Sequence, residues 1–150
     1  MEKNEAFQKA FDEHFCQYKD RPVALYGTGK NAELIVKYAR GYDFFALVSA
    51  DLVGRTAYGK KVIAIEEAVK KARVLIIAAG PASTGIVYAR IKSRIPADIP
   101  VYDMRGQRLN IGEYYRNNPY WDQSMTELYR LVDVHDTISF DIFDTLLARR

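Results

Sequence analysis

Over residues 22–104 the chain alternates short, uninterrupted apolar runs with longer amphipathic stretches. The four apolar runs are "VALY", "DFFALVS", "RVLIIAAG" and "IPVYDM". A strand that is buried on both faces reads as a continuous apolar run, whereas a strand with one solvated face alternates. The stretches between the runs carry apolar residues at helical spacing. The pattern therefore predicts an α/β, Rossmann-like fold of three layers (α/β/α) with a mainly parallel sheet of four to five strands.

Helices are predicted before the sheet and between its strands. The first runs from about Asn4 to Lys19 with Asn4 as its N-cap, and the second is closed by Gly41. In "YGKKVIAIEEAVKKA" a turn and a brief extended piece precede a short helix that begins near Ile65. Pro81 suits the first turn of the next helix. The predicted apolar faces of the first two helices are Phe7, Ala10, Phe11, Phe15 and Tyr18, and Ala32, Ile35, Val36 and Ala39.

The pattern changes after residue 110. Residues 111–135 are polar and aromatic-rich, and Trp121, Met125, Leu128 and Val132 repeat at helical spacing, which predicts a helical connector. A further apolar strand follows it. We therefore expect a Rossmann-like domain with a leading helix over residues 1–110, a connector over 111–135, and the first strand of another domain over 136–150.

A glycine-rich turn, "YGTGKNA", lies between the first predicted strand and its helix. In this context Gly27 can form a tight turn, Gly29 lets the backbone approach a phosphate, and Ala32 permits close packing of helix and strand. The N–H groups at the start of the helix would then bind an anion. An acid that holds a ribose hydroxyl is missing from the end of the second strand, where Ser49 stands, and Asp51 follows two residues later. The alternative is that the glycines only allow a tight turn.

A second glycine loop, at Gly80 and Pro81, would lie beside the first, because the carboxyl ends of adjacent parallel strands share one edge of a sheet. Arg55 could favour a phosphate group. The expected ligand is a small phosphate-containing molecule, namely a nucleotide, NAD(P) or a nucleotide-sugar. The candidate ligand-binding residues are Gly27, Thr28, Gly29, Lys30, Asn31, Ser49, Asp51, Gly80 and Pro81.

The order of these segments resembles a family of Rossmann-like domains found in proteins of glycan and nucleotide-sugar biosynthesis. The resemblance covers residues 22–104 and rests on "YGTGKNAELI", "SADLVGRTAYGKKVI" and "VLIIAAGPAS". It implies a role in surface-polysaccharide or sugar-nucleotide metabolism.

The terminal stretch "ISFDIFDTLLAR" resembles the first motif of the haloacid dehalogenase (HAD) superfamily, a hydrophobic strand that ends in Asp and is followed by a Thr-Leu pair. The resemblance places Asp141 on the nucleophile, which forms an aspartyl phosphate and helps to bind Mg²⁺, and Thr145 on the Thr of the pair. Phe143 stands where phosphatases of the family carry a second Asp, and Asp144 comes one residue later. This departure argues against ordinary phosphomonoester hydrolysis. The alternative is that Asp141 and Asp144 cap a strand or a helix start.

No later HAD motif follows in this sequence. We therefore expect the chain to be the leading part of a HAD-like hydrolase or phosphotransferase that is cut just inside its HAD-like domain. As given, the chain is expected to be inactive, and Mg²⁺ is expected only with the complete domain.

Charge and composition narrow the partners. The net charge is only +3 and the basic residues are scattered, so no specific nucleic-acid binding is expected. The lone Cys16 cannot form an internal disulfide, and no apolar run is long enough to span a bilayer. These features favour a cytoplasmic protein without a membrane partner. A terminal strand without its domain has unpaired edges, which could produce a homodimer.

Three functions fit the sequence. The first is a ligand-binding Rossmann-like domain that precedes a HAD-like domain. The second is an NAD(P)- or nucleotide-sugar-dependent enzyme that acts through residues 27–31. The third is a protein-interaction module that docks through the aromatic connector.

Overall fold

The computed structural model describes residues 3–111, which form a six-stranded sheet with helices on both sides. The helices are α1 (Lys3–Phe15), α2 (Lys30–Tyr38), α3 (Ile65–Lys71) and α4 (Pro81–Ile91), with short 3₁₀ turns at Cys16–Tyr18 and Lys92–Arg94. The strands are β1 (Pro22–Tyr26), β2 (Asp43–Val48), β3 (Thr56–Ala57), β4 (Lys60–Ile63), β5 (Val74–Ile77) and β6 (Val101–Asp103). The predicted α/β, Rossmann-like class is confirmed.

The strand order across the sheet is β3-β4-β2-β1-β5-β6. All pairs are parallel except β3 with β4. From β1 the chain builds outward through β2 to β4, then returns to the other side of β1 and continues through β5 to β6. The direction of winding therefore reverses between β1 and β5, which makes that pair the topological switch point of the sheet.

The sheet has six strands and not the predicted four to five. The brief extended piece expected after the turn is a strand, β4, and β3 is an additional two-residue strand paired antiparallel to it. A strand of two residues is too short to produce a periodic pattern, which explains why the sequence did not indicate β3.

Two hydrophobic clusters, one on each face of the sheet, account for the continuous apolar runs. In β5, Val74 and Ile76 belong to the cluster under α1 and α2, whereas Leu75 and Ile77 belong to the cluster under α3 and α4. All four side chains are buried. Successive side chains of a strand point to opposite faces, so a strand between two helical layers needs apolar residues at every position.

The leading helix differs from its prediction in three respects. It begins at Lys3, so Asn4 already lies inside the helix and is not its N-cap. The α-helix ends at Phe15 and continues as a 3₁₀ turn. Ala10 is exposed, because the buried stripe follows the four-residue spacing of Phe11 and Phe15 and Ala10 lies at its solvent edge.

In α2 the predicted apolar face is confirmed, with Ala32, Ile35 and Ala39 buried. The helix ends at Tyr38 with Ala39 as its C-cap, earlier than predicted. Gly41 lies in the turn that leads into β2, with a φ of +83°. Gly41 thus serves the following turn and not the helix end itself.

The described residues contain no helix that is long and apolar enough to cross a membrane. The predicted connector beyond Ile111 and the predicted strand over 136–150 lie outside the described residues.

Candidate functional site

The carboxyl ends of β1 and β5 bring the two glycine loops together. Tyr26 pairs with Ile77, and the Ala78 N–H donates to the Tyr26 carbonyl at 2.9 Å. On the other side, the Gly27 N–H donates to the Val48 carbonyl at 2.9 Å. The loop after β1 is therefore held by backbone hydrogen bonds between β2 and β5, directly at the switch point where open α/β sheets bind ligands.

Gly27 is a glycine because the fold requires one. Its φ of +122° lies in a region that residues with a side chain rarely adopt. A Cβ at this position would also lie 3.3 Å from the Ala78 carbonyl oxygen. For Gly27 the tight-turn interpretation is sufficient, since conformation and packing both disfavour a side chain.

Gly29 has no such structural reason. It is the N-cap of α2, with φ −84° and ψ −170°, which is extended backbone open to any residue. A Cβ added there would meet no heavy atom within 4 Å. No side chain caps this helix start, a position where Ser, Thr, Asp or Asn is usually preferred. The absence of a side chain at Gly29 leaves the backbone open to approach from outside.

Backbone N–H groups are available at the start of α2. The first bond back to the N-cap is from the Glu33 N–H to the Gly29 carbonyl, at 3.1 Å. The N–H groups of Lys30 and Asn31 precede it, in the first turn, where an α-helix has no internal acceptors for them. Together with the helix dipole, these groups favour an anion.

The second loop is built differently. Gly80 is the N-cap of α4 with an ordinary φ of −68°, and Pro81 at the first position removes one backbone donor. The buried Thr84 hydroxyl donates to the Gly80 carbonyl at 3.0 Å and lies 3.3 Å from the Ala79 carbonyl. This loop is therefore fixed by its own helix and offers fewer free N–H groups to a ligand.

Ser49 stands at the end of β2, as predicted, and is half-buried. Its hydroxyl accepts the Asp51 N–H at 3.3 Å, which closes a short turn. The Asp51 and Arg55 side chains are both exposed. The structure thus places Ser49 next to the first glycine loop, through Val48, and leaves Asp51 on the solvent side of the following loop.

A cleft of about 190 Å³ opens beside these loops. It is lined by Tyr26, Val48, Ser49, Ala50, Val53, Ala64, Ile65, Glu66, Ile91 and Arg94. Its rim carries an exposed ion pair between Arg94 and Glu66 at 3.6 Å, and Val53 is 51% exposed. Val53, Ala64 and Ile65 were not predicted from the sequence as residues of a site. Ala64 and Ile65 directly follow the carboxyl end of β4, so they could have been predicted if the sequence had shown β4 to be a strand.

Tyr58 is a further residue near the loop that was not predicted from the sequence. This residue lies in the two-residue turn between β3 and β4, and its hydroxyl donates to the Thr28 carbonyl at 2.8 Å. Nothing in the sequence pattern connects a hairpin tip to a loop thirty residues earlier.

Asp103, at the carboxyl end of β6, is buried but engaged in a turn. One carboxylate oxygen accepts the N–H groups of Arg105 and Gln107 at 2.9 and 2.8 Å. These bonds occupy the carboxylate with backbone donors, so its role is structural. Among residues 3–111 no group of His, Cys, Asp and Glu side chains could hold a metal ion.

A larger cleft of about 720 Å³ lies along α1 and the end of α2, away from the loops. Asp12 in this region accepts hydrogen bonds from Tyr42 at 2.7 Å and from Lys19 and Gln8 at 2.9 Å. Burial acts to raise the Asp12 pKa, but these bonds and the Lys19 charge outweigh it and lower the pKa. Burial and the Asp12 carboxylate raise the Tyr42 pKa. The polar groups satisfy one another and tie α1 to the residue that precedes β2, which is a structural role.

The candidate catalytic and metal-binding residues of the terminal motif, Asp141, Asp144 and Thr145, lie outside the described residues.

No protein-family model matches the chain, and none of the curated proteins matches it. Among solved structures, an acyclic imino acid reductase in complex with NADPH and D-Arg is 14% identical, with a TM-score of 0.43. The match covers 66% of this chain and 33% of the reductase, so the chain spans about a third of the reductase's length.

Proposed function

We propose that the Rossmann-like domain binds a nucleotide or another phosphate-containing small molecule at the carboxyl edge of its sheet, with the phosphate on the loop of residues 27–31. The observation that carries this proposal is the contrast between the two glycines of that loop. Gly27 is explained by the fold, whereas Gly29 lies where the fold would accept a side chain. A glycine without a structural need, beside free N–H groups, is what close approach of a phosphate requires.

The neighbouring cleft suggests where the rest of the ligand lies. Its wall of Val48, Val53 and Ile65 is apolar, which suits a planar ring, and it adjoins the glycine loop through Tyr26. Ser49 in place of an acid leaves no carboxylate at the end of β2 to hold a ribose diol. Recognition would then depend on the phosphate and the ring more than on the ribose.

Ligand binding can be tested by thermal shift with NAD, NADP, UDP-sugars, coenzyme A and free nucleotides. A ligand at one hundred times its dissociation constant stabilises the native state by about 2.7 kcal/mol, which is easily detected. We expect at least one of these probes to raise the melting temperature. If all of them leave it unchanged, the proposal fails.

Gly29→Asp then locates the site. The new carboxylate fits the open space and suits an N-cap, so stability should be kept or raised by a few tenths of a kcal/mol. It would repel a bound phosphate, and we expect affinity to fall at least about tenfold, which corresponds to about 1.4 kcal/mol. Gly85→Asp is the matched control, because Gly85 is also exposed and open but lies within α4. Equal affinity in both variants would place the ligand elsewhere.

The terminal motif supports a second proposal, that the chain belongs to a HAD-like hydrolase or phosphotransferase of surface-glycan or sugar-nucleotide metabolism. Its support is the sequence resemblance at Asp141 and Thr145 alone. With Mg²⁺ and a chromogenic phosphate ester, this chain is expected to show no turnover. Turnover that Asp141→Asn abolishes would contradict the expectation that the motif needs further domain residues.

A further inference from the structure

The Tyr58 hydroxyl connects the β3–β4 hairpin to the first glycine loop. It donates to the Thr28 carbonyl at 2.8 Å, although the two residues are thirty positions apart. Only Leu47–Val62 and Val48–Ile63 pair β2 with β4, so the hairpin extends beyond the paired part of the sheet. The contact is therefore a specific side-chain bond to the loop and not a by-product of sheet pairing.

The backbone at Tyr58 is unusual. Its φ of +52° is left-handed, and with Gly59 at +72° it forms a turn in which both central residues have positive φ. Asn, Asp and Gly are favoured at such positions in two-residue hairpins, whereas aromatic residues are uncommon there. The ring is also 39% exposed, so burial does not explain it. An aromatic side chain held in this conformation suggests a role for its hydroxyl.

The hydrogen bond determines the orientation of one peptide group. In a trans peptide the C=O and N–H point in opposite directions, so fixing the Thr28 carbonyl also fixes the Gly29 N–H. Without a side chain at Gly29, this peptide could turn over at little cost, as it does between the two common turn types. The turned-over form would present a carbonyl oxygen where the N–H should meet an anion. A bond from Tyr58 selects one form.

We propose that Tyr58 is a positioning residue of the phosphate-binding loop, which holds the Thr28 carbonyl towards the hairpin so that the Gly29 N–H faces the ligand. This inference rests on the proposed function of the loop. It adds a residue from outside the loop, and it assigns the β3–β4 hairpin a part in ligand binding.

The first test needs no ligand. Conformational exchange of the free protein is followed by NMR relaxation dispersion at the amides of residues 28–31, in the wild type and in Tyr58→Phe, which removes only the hydroxyl. We expect the population of the turned-over peptide, measured at the Gly29 and Lys30 amides, to rise about two- to tenfold, the range given by the loss of one hydrogen bond. Tyr38→Phe is the control, since Tyr38 lies at the end of α2 and should leave these amides unchanged. Unchanged exchange in Tyr58→Phe would overturn the proposal.

The second test separates positioning from stability. With whichever probe of the nucleotide panel binds the wild type, Tyr58→Phe and Tyr58→Asn should each weaken affinity about two- to tenfold. Asn relieves the left-handed backbone, so Tyr58→Asn should be at least as stable as the wild type while it binds less well. Full affinity in both variants would overturn the proposal. If no probe binds the wild type, the proposed function fails, and the exchange experiment alone decides whether Tyr58 orders the loop.

Discussion

The two glycine loops at the switch point occupy equivalent places, each after a buried parallel strand and before a helix, yet they are built by different means. The loop after β1 depends on its neighbours: Gly27 bonds to β2 and packs on Ala78, and Thr28 is bonded by Tyr58. The loop after β5 also bonds to a neighbouring strand, through the Ala78 N–H and the Tyr26 carbonyl, but the rest of it is held by its own helix, through Pro81 and Thr84. Beyond its first residue, the first loop is still held by a neighbouring element, whereas the second loop is held by its own helix.

This difference bears on function. A loop whose carbonyls are held by surrounding elements keeps its N–H groups free, as at the start of α2. In the second loop, Pro81 lacks a backbone N–H donor. The Thr84 hydroxyl lies against the carbonyl oxygens of Ala79 and Gly80. Two glycine loops that look alike in sequence are thus unequal candidates for an anion. The first is the better one.

The largest expected effect comes from adding a side chain at Gly27, which tests whether the fold requires this glycine more than it requires Gly80. Gly27→Ala would force a methyl group into a positive-φ backbone and to within 3.3 Å of the Ala78 carbonyl oxygen. We expect a loss of about 2–3 kcal/mol in the free energy of unfolding, measured by urea denaturation.

Gly80→Ala is the matched control for this prediction. Its φ is −68° and nothing lies within 4 Å of the added carbon, so only the poorer N-cap preference of alanine counts against it, and the loss should stay below about 1 kcal/mol. If both variants lose the same stability, the distinction between the loops is wrong.

The sequence predicted the parts of this comparison that depend on local pattern. Continuous apolar runs identified β1, β2, β5 and β6, because each is enclosed between two helical layers. Adjacent glycine loops followed from the parallel order of the strands. Gly27 was identified from its place between a strand and a helix.

Other features depend on contacts that leave no local pattern. The Tyr58–Thr28 hydrogen bond joins residues from separate elements, and the openness around Gly29 is a property of its neighbours and not of the glycine. Two of the three errors in α1 have a different origin. Asn4 was predicted as the N-cap because asparagine is preferred at that position. Ala10 was predicted to be buried because it fits the helical spacing of apolar residues, although Phe11 and Phe15 alone form the buried stripe. Helix boundaries and stripe edges are set by packing, which a single sequence expresses only weakly.

The smallest effect tests whether Thr84 holds the second loop. Thr84→Val keeps the shape of this buried side chain but removes the hydroxyl that donates to the Gly80 carbonyl at 3.0 Å. We expect a loss of about 1 kcal/mol in urea denaturation, because one buried hydrogen bond is lost while packing is kept. Ser83→Ala, on the exposed side of the same turn, should change stability by less than about 0.5 kcal/mol.

The Thr84→Val variant also tests whether the second loop contacts the ligand. Because Thr84 holds only the second loop, Thr84→Val should leave the affinity for any phosphate ligand of the first loop unchanged. A loss of affinity as large as that of Gly29→Asp would instead mean that both loops contact the ligand.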